Sequence, residues 1–300
     1  MLALALLLDA ALGEPDWMWR RLPHPVVVMG RAIGWWERRL NRGAYRQFKG
    51  TVMLGLLITV AGGVGAFLSH PGFGGLFEVL GAAVLVAQRS LIDHVRAVAD
   101  GLDRSLEDGR RAVAMIVGRD TADLDESGVA RAAIESAAEN FSDGIVAPAF
   151  WFLVAGLPGI LIYKMINTAD STVGYRNARY EAFGWASAKV DDLVNWVPAR
   201  LSAAMICLVG TGLAAWAVVW ADARLHRSPN AGWPEAAVAG SLEIALSGPR
   251  AYEGRMTEDP FVNPAGRRTL GSSDVRQTTA LLWRAWAVLL GISAFTLILA

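Results

Sequence analysis

The stretch ESAAENFSDGIVAPAFWFLVAGLPGILIY, residues 135–163, guides the interpretation of the whole chain. Its first nine residues include Glu135, Glu139, Asn140 and Asp143. The run that follows, residues 145–163, has no ionisable side chain except Tyr163. Prolines and glycines interrupt this run, and such residues are tolerated in membrane helices where the freed backbone lines a cavity. The pattern predicts a broken or re-entrant membrane segment, with the break within residues 156–159, joined to an acidic cluster.

Four other apolar runs predict further membrane segments. Residues 51–69 and 201–221 are free of charge, residues 75–88 carry only Glu78, and residues 278–300 carry only Arg284. Runs near 20 apolar residues match a bilayer core of roughly 30 Å, so we predict an all-α polytopic integral membrane protein with about four or five membrane segments. Residues 1–12 are too few to span a bilayer, and they predict a short embedded or buried helix.

The organisation predicted from these runs is a single membrane-embedded helical domain over residues 1–300. Its polar loops cover residues 13–50, 89–144, 164–200 and 222–277. The short loop after residue 69 has no Lys or Arg, so the runs on either side predict a helical hairpin whose Arg-rich flanks both lie in the cytoplasm. The side of the membrane occupied by residues 164–200 stays open, because a simple span before them would place their five Lys and Arg outside.

Composition and missing motifs exclude several classes of function. Lys plus Arg and Asp plus Glu are both 28, so no basic field indicates a nucleic-acid partner. The single cysteine, Cys207, allows neither an intrachain disulfide nor a thiolate metal cluster. The sequence has no GxxxxGK[ST], HExxH or GxSxG motif, which disfavours a P-loop ATPase and a membrane zinc protease.

The acidic cluster has a spacing that brings its carboxylates together. Glu135, Glu139 and Asp143 are four residues apart, so they share one face if the helix persists, and Ser127 is predicted to cap that helix. Like charges at this spacing are mildly destabilising. Mg²⁺ usually takes one or two carboxylates together with substrate phosphates, which favours a metal–phosphate site. The alternative is a solvated acidic face with Arg131 as counterion.

Two further polar clusters flank the apolar runs. In YKMINTADSTVGYRNARYEAFG, residues 163–184, one helical face carries Asn167, Asp170 and Ser171. In AKVDDLVNWVPARL, residues 188–201, Asp191 and Asn195 share a face. Polar groups at membrane depth are costly, and they indicate function by default. The alternative for the cluster in residues 188–201 is a capping or juxtamembrane role.

Three motifs together resemble one known family. They are AENxxDGxxAP from residue 138, NTxDSxVGY from residue 167 and DDxxNxxPAR from residue 191. With GEPDW, LPHPVVVMGRAIGWWE and SGPRAYEGR, they make the chain resemble the adenosylcobinamide-phosphate synthase (CobD/CbiB) family of cobalamin biosynthesis, from the N-terminus to about Gly254. Thr172 departs from the Met that many relatives carry there, which puts little in doubt.

The resemblance implies a multi-pass enzyme of the cell inner membrane. Such an enzyme joins adenosylcobyric acid to aminopropanol or its O-phosphate through an amide bond, with ATP as co-substrate and Mg²⁺ as cofactor. The implied partners are these substrates, the lipid bilayer and other enzymes of the corrinoid pathway. Whether the amine arrives phosphorylated, and whether this chain alone uses ATP, stays open.

This chemistry nominates residues in the matched motifs. The candidate catalytic residues are His24, Glu139, Asp143 and Asp170, with His24 as general base on the amine. The candidate Mg²⁺ ligands are Glu139, Asp143, Asp170 and Asp191. The candidate residues for binding substrate or phosphate are Arg119, Asn140, Asn167, Ser171, Tyr175, Arg176, Lys189, Asn195 and Arg200. We further expect Asp143 and Asp170 to share one bound cation or phosphate.

Two other classes of function compete with the enzyme. Broken hydrophobic segments flanked by Asp and Asn are typical of transporter binding sites, so a membrane transporter of a corrinoid or another anionic small molecule is the main alternative. No internal two-fold repeat of hydrophobic segments is visible, which weakens it. The third hypothesis is a scaffold that tethers soluble corrinoid enzymes to the membrane.

Overall fold

A computed structural model gives the structure of residues 1–14, 16–73, 75–252, 255–257 and 259–299. Side chains are described outside residues 16–17, 250–258 and 297–299. Pro15, Glu253 and Gly254, which belong to two of the matched motifs, lie outside the described residues. The chain divides into two compact units. The first unit comprises Met1–Ala87 and Ala147–Asn195, and the second comprises Gln88–Val146 and Trp196–Ala300.

Helices dominate the described residues. In chain order they are α1 Leu2–Leu12, α2 Asp16–Trp19, α3 Pro25–Leu40, α4 Arg46–Leu68, α5 Leu76–Leu85, α6 Gln88–Arg104, α7 Leu106–Val113, α8 Glu126–Phe141, α9 Ala147–Val173, α10 Trp185–Val194, α11 Trp196–Val209, α12 Leu213–Asp222, α13 Gly232–Leu242 and α14 Ser272–Leu299. Pro71–Phe73 and Ala223–Leu225 form 3₁₀ turns, and Ser142–Val146 forms a π-helical turn.

Four short strands form two antiparallel pairs in the second unit. They are β1 Leu246–Ser247, β2 Arg250–Tyr252, β3 Arg255–Thr257 and β4 Phe261–Val262. β1 pairs with β4, with Leu246 opposite Val262, and β2 pairs with β3. These pairs are too short to change the fold class, which is all-α as the sequence predicts.

Three helical stretches among the described residues are long and apolar enough to cross a membrane. They are Arg46–Leu68, Glu126–Val173 and Ser272–Thr296, and the bent pair of α10 and α11 makes a fourth if it is counted as one span. The chain is therefore a polytopic membrane protein. The expected helix at the N-terminus is also present, as α1.

Two predicted runs fall short of a full span, because the helix ends inside the apolar sequence. In residues 75–88 the helix α5 has ten residues and ends where Val86 becomes extended, so it is about 15 Å long at 1.5 Å per residue. In residues 201–221 the helix stops at Val209 and resumes at Leu213, after Gly212 with φ of 63°. The apolar composition of these runs does not reveal the end of α5 before Val86 or the break between Val209 and Leu213.

α9 is the central helix of the first unit, and it is broken as predicted. It packs against α3, α4, α5 and α10. The break lies at Ala155 (φ −142°, ψ 21°) and Gly156 (φ 62°, ψ −151°), so it begins one residue before the predicted range. Gly156 lies in the left-handed region, which favours glycine. α4 and α5 therefore do not form a simple two-helix hairpin, because α4 packs mainly against α9 and α5 packs equally against α1 and α9.

Small residues let neighbouring helices approach this break closely. A Cβ atom on Gly65 of α4 would come within 2.5 Å of Pro158 Cα, and one on Gly81 of α5 would come within 2.7 Å of Leu157 Cδ1. Real Cβ atoms do not make such contacts. The break is therefore fixed by the packing of α4 and α5 as well as by its own sequence.

The second unit has its core around α13. This helix is buried along almost its whole length and packs against α8, α11 and α12, while α14 packs against α6, α8 and α11. The side chain that caps α8 is Asp125, whose carboxylate accepts the Gly128 N–H at 2.7 Å. The prediction that Ser127 is the cap is wrong. The Ser127 hydroxyl instead donates to the Leu270 carbonyl and accepts the Leu270 N–H.

Candidate functional site

The first unit holds a buried polar cluster where the C-terminal part of α9 meets α10. At its centre is Asp191, which is 9% exposed. Its two carboxylate oxygens accept amide N–H groups, one from Asn167 at 3.3 Å and one from Asn195 at 3.0 Å. The Asn195 oxygen in turn accepts the Tyr163 hydroxyl at 2.9 Å. Four-residue spacing on each helix, 163 to 167 and 191 to 195, places these groups on the facing sides.

Two further carboxylates add negative charge to this cluster. Asp170, one turn beyond Asn167 on α9, is close enough to Asp191 and to Asp192 for electrostatic repulsion. Lys189 and Arg176 interact favourably with Asp192. We call Tyr163, Asn167, Asp170, Asp191, Asp192 and Asn195 the aspartate cluster. It combines three carboxylates, two amides and a phenol at the end of a membrane helix, with two cations beside it.

The loop of residues 174–184 connects α9 to α10 and carries two more predicted residues. Tyr175 and Arg176 are exposed, and Ser171 is exposed on the last turn of α9. The loop starts at Gly174, whose N–H donates to the Asp170 carbonyl at 2.7 Å. The structure thus brings six of the nominated residues together in one region: Asn167, Asp170, Arg176, Lys189, Asp191 and Asn195.

His24 caps α3 and uses both ring nitrogens inside the protein. Nδ1 accepts the Val26 N–H at 3.2 Å, so Nε2 carries the proton and donates to the Val84 carbonyl at 3.2 Å. Burial lowers the pKa of His24 below its ordinary value, and the positive charge of Lys164 acts in the same direction against Glu14 and the Val84 bond. His24 is therefore neutral at pH 7. Because its lone pair is occupied by the Val26 N–H, a role as general base requires that cap to open, and this role stays a prediction.

The second unit holds a different buried carboxylate, Glu135 of α8. Its Oε2 accepts from Arg119 Nη2 at 3.3 Å, and the two side chains are 7% and 9% exposed. Its Oε1 accepts the Ser247 N–H at 2.7 Å. Ser247 has φ of 61°, which is uncommon for a residue other than glycine. Glu135 therefore ties Arg119 and a strained turn to α8. Its place in the sequence-predicted acidic cluster could have suggested a role, but its partners are 16 and 112 residues away.

The other predicted residues of α8 lie near its C-terminal end. Glu139 and Asn140 are exposed, and Asp143 is half-buried within the π-helical turn. The Asn140 amide donates to the Ser136 carbonyl at 2.9 Å. π-helical turns inside α-helices are frequent at functional sites, which supports the interest of this end of α8.

Arg200 is held by aromatic rings. Its guanidinium carbon lies 4.3 Å from the Trp196 ring centroid and 4.4 Å from that of Trp233. It also donates to the Trp196 carbonyl at 2.7 Å and to Asn230 Oδ1 at 3.0 Å. These contacts give Arg200 a packing role in the second unit, and phosphate binding by it stays a prediction.

A small recess opens beside Ser247 in the second unit. Its lining residues are Leu225, His226, Arg227, Ser247, Asp259, Pro260 and Val262. The His226 ring lies 3.6 Å from the buried carboxylate of Glu235. This recess contains none of the residues nominated from the sequence.

Comparison with known proteins identifies the family of the chain. The family model described as CobD/Cbib protein matches residues 2–282. The chain belongs to the CobD/Cbib family. A cobalamin biosynthesis protein CobD from Sinorhizobium sp is 50% identical over 310 residues, covering 97% of this chain and 95% of that protein. The namesake from Rhizobium meliloti (strain 1021) is 49% identical, covering 96% and 94%, and that from Rhodobacter capsulatus is 50% identical, covering 88% and 86%. No solved structure matches the chain significantly.

Membership of the CobD/Cbib family supports a role in cobalamin biosynthesis. The nominated residues divide between the units of this CobD/Cbib protein. Glu139 and Asp143 belong to the second unit, whereas Asp170 and Asp191 belong to the first. Within neither unit do the described residues place three His, Cys, Asp or Glu side chains as a metal-binding group. The expected sharing of one cation by Asp143 and Asp170 stays a prediction.

The oxygen donors of the aspartate cluster fit Mg²⁺, which is rarely bound by protein side chains alone. Mg²⁺ keeps several waters and takes one or two carboxylates plus substrate phosphates. Asp170 and Asp191 supply two carboxylates, and Asn167 and Asn195 fix the orientation of one of them.

Proposed function

We propose that this protein forms the amide bond between adenosylcobyric acid and aminopropanol or its O-phosphate, using ATP and Mg²⁺, in the inner membrane of the cell. Membership of the CobD/Cbib family supports the pathway. The observation that carries the proposal is the aspartate cluster, in which buried Asp191 is oriented by two amides beside Asp170 while Lys189 and Arg176 lie next to Asp192. An enzyme that brings together a carboxylate, an amine and a polyphosphate needs binding groups of both signs in one place.

The reaction divides into two steps with a clear proton and phosphate balance. The corrinoid carboxylate first attacks the terminal phosphorus of ATP, which gives an acyl phosphate and ADP. The amine nitrogen then attacks the acyl carbon, inorganic phosphate leaves, and the nitrogen loses protons as the amide forms. Both steps develop charge on phosphate oxygens, so catalysis depends on positioning and charge neutralisation.

The aspartate cluster and the residues beside it have separate tasks in this scheme. Asp170 and Asp191 would hold Mg²⁺, which when bound neutralises phosphate charge. Exposed Arg176 and Lys189 bind phosphate oxygens, Arg176 with a planar fork and Lys189 as a point charge. Ser171 and Tyr175 contribute hydroxyl groups at the exposed edge.

The nominated residues of the second unit take supporting tasks in the proposal. Glu139, Asn140 and Asp143 supply oxygens for Mg²⁺ or substrate, and Arg119 and Arg200 supply positive charge toward phosphates. For Arg119 and Arg200 this role requires a change of partner, because Arg119 is bonded to Glu135 and Arg200 packs against two indole rings.

One observation favours a transporter as the second candidate. The break at Gly156 divides a membrane helix, and discontinuous helices often form midplane binding sites in transporters. A transporter would move adenosylcobyric acid or another anionic corrinoid across a vesicle membrane without ATP-dependent amide formation.

One experiment separates the two functions. Full-length protein in detergent is incubated with adenosylcobyric acid, aminopropanol phosphate, ATP and Mg²⁺, and the amide product is sought by mass spectrometry. The same protein in vesicles is tested for corrinoid uptake. We expect product from the wild type and about 10³-fold less from Asp191→Asn. The control Asp93→Asn, which removes a carboxylate from an exposed ion pair on α6, stays active. Uptake without product from a folded, corrinoid-binding wild type would refute the enzyme.

A further inference from the structure

The loop of residues 174–184 is anchored to α9 at both ends by close backbone contacts. A Cβ atom at Gly174 would overlap Asp170, and one at Gly184 would overlap the carbonyl of Val173. Between these anchors, the Asn177 side-chain oxygen accepts the backbone N–H groups of residues 179 and 180 at 3.1 and 3.0 Å. The loop therefore has a defined shape, and its first residues adjoin the aspartate cluster.

An ion pair between Arg179 and Glu37 fixes the centre of the loop to α3. Arg179 Nε donates to Glu37 Oε1 and Arg179 Nη2 donates to Glu37 Oε2, both at 3.0 Å. The Glu37 side chain is 6% exposed, whereas that of Arg179 is 61% exposed. Such two-point contacts fix direction as well as distance, which a single ammonium group does not achieve.

Two neighbouring side chains reinforce this grip. The Asn41 amide donates to Glu37 Oε1 at 3.0 Å and to the Arg179 carbonyl at 2.9 Å. Arg46, at the start of α4, donates to the carbonyls of Ala178 and Arg179, each at 3.4 Å. The loop backbone is thus also held by residues from the C-terminal end of α3 and the start of α4.

Aromatic rings connect the Glu37–Arg179 ion pair with the residues beside the aspartate cluster. The Arg179 guanidinium lies 5.1 Å from the Tyr180 ring centroid, and the Tyr180 ring lies 6.3 Å from that of Tyr175. Arg176 follows Tyr175 directly and interacts with Asp192. We propose that Glu37 and Arg179 are positioning residues, whose ion pair holds Tyr175 and Arg176 in place for phosphate binding. This assignment rests on the function proposed above.

The lowered pKa of Glu37 keeps the Glu37–Arg179 ion pair formed near neutral pH. Hydrogen bonds from Arg179 lower the pKa of Glu37 below its ordinary value, against the opposing effect of burial. A carboxylate with a lowered pKa in the folded state contributes stability above its unfolded pKa, and the contribution is lost as pH falls through the folded pKa. The pair is therefore intact at neutral and mildly acidic pH.

The test combines a readout of loop order with one of catalysis. Glu37→Gln removes the charge but keeps the shape, and Arg179→Lys keeps the charge but removes the fork. The control Asp93→Asn breaks an exposed Arg–Asp pair on α6. Trypsin cleavage after Arg176 in the full-length protein is followed by mass spectrometry, and KM for aminopropanol phosphate and kcat are measured separately. A thermal unfolding curve for each variant shows that the variant is folded.

We expect Glu37→Gln to speed cleavage after Arg176 about tenfold and to raise KM about tenfold with a smaller change in kcat, because uniform binding is lost. Arg179→Lys should fall between wild type and Glu37→Gln, and Asp93→Asn should change neither readout. Unchanged cleavage in both folded variants overturns the grip itself. Faster cleavage with unchanged KM and kcat overturns the positioning role. A wild type that makes no amide overturns the proposed function, and cleavage then still decides whether the pair orders the loop.

Discussion

Asp191 in the first unit and Glu135 in the second are both buried carboxylates, but their partners differ in charge. Glu135 faces the Arg119 guanidinium and the Ser247 N–H. Asp191 receives its hydrogen bonds from the neutral amides of Asn167 and Asn195, and the charged groups that act on it, Asp170 and Asp192, repel its charge. A guanidinium neutralises a buried carboxylate, whereas amides orient it and leave its charge in place.

This difference separates a structural carboxylate from one poised to bind a cation. Burying a charge without a counter-charge is costly, and two neighbouring carboxylates increase the cost. A cation or a Mg²⁺–phosphate group removes that cost on binding, so the aspartate cluster gains most from a ligand. The Arg119–Glu135 pair has already gained its counter-charge from the protein. Mutation should therefore affect activity at the first carboxylate and stability at the second.

The largest expected effect comes from neutralising the aspartate cluster. Asp191→Asn and Asp170→Asn should each lower amide formation about 10³-fold, the size expected when a preorganised charge-stabilising group is lost. Asp170→Asn should unfold at the wild-type temperature or above it, because it removes repulsion between carboxylates. Asp191→Asn also replaces one of two acceptor oxygens with an N–H donor, so it should stay folded but unfold at a somewhat lower temperature. Amide formation and thermal unfolding in detergent are the measurements. Near-normal activity in both variants would remove the cluster from the reaction.

Alanine variants extend the same test to Asp143, a carboxylate of the second unit that the sequence nominates. Asp143→Ala and Asp170→Ala should each abolish amide formation while membrane insertion is unchanged. Insertion is read from the membrane fraction of expressing cells. If Asp170→Ala is inactive and Asp143→Ala is fully active, Asp143 does not take part in the reaction.

The second prediction concerns stability at the buried ion pair. Glu135→Ala leaves Arg119 charged, buried and unpaired, so we expect a loss of about 3 kcal/mol, at the lower end for breaking such a pair. The double variant Arg119→Met with Glu135→Leu should recover much of this loss, because it buries no charge. Thermal unfolding of the single and double variants gives the comparison. A single variant as stable as wild type would show that the pair does not hold the turn at Ser247.

Sequence reasoning predicted the parts of the fold that depend on long uninterrupted patterns. α4 and α14 follow from apolar runs, and the break in α9 follows from Gly156 beside Pro158. It overestimated the spans in residues 75–88 and 201–221. Hydropathy counts apolar residues and does not detect a helix that ends at Leu85 or Val209.

At the candidate site, spacing within one helix was informative and pairing between distant segments was not. The four-residue step from Asp191 to Asn195 predicted a shared face, and the two side chains are hydrogen-bonded. The pairing of Glu37 with Arg179 joins residues 142 apart, and no local pattern marks it. Arg200 was nominated from a motif, but its enclosure by Trp196 and Trp233 depends on tertiary packing.

The third prediction asks how far the break in α9, rather than its charges, supports the aspartate cluster. Gly65→Ala places a methyl group against Pro158 and should cost about 2 kcal/mol, as overpacking does. The matched control is Gly63→Ala on the same helix, where the added Cβ meets nothing within 4 Å. Thermal unfolding and amide formation are measured for both. Equal behaviour of the two variants would show that close packing at Pro158 is unimportant.

The smallest expected effect distinguishes a base from a helix cap at His24. Asn is a good N-cap, so His24→Asn should keep the stability of α3, whereas His24→Ala should lose about 1 kcal/mol. If His24 only caps the helix, His24→Asn stays active. If it is the general base, His24→Asn is inactive although it is folded.

The pH dependence of stability gives a second test of His24, because burial lowers its pKa below its ordinary value of 6.5. As pH falls below 6.5, the unfolded chain takes up the proton before the folded chain does, so wild-type stability decreases until the folded pKa is passed and then levels off. His24→Asn lacks this decrease. A wild type and a His24→Asn variant with the same stability profile between pH 5 and 7 would contradict the lowered pKa, whichever role the side chain has.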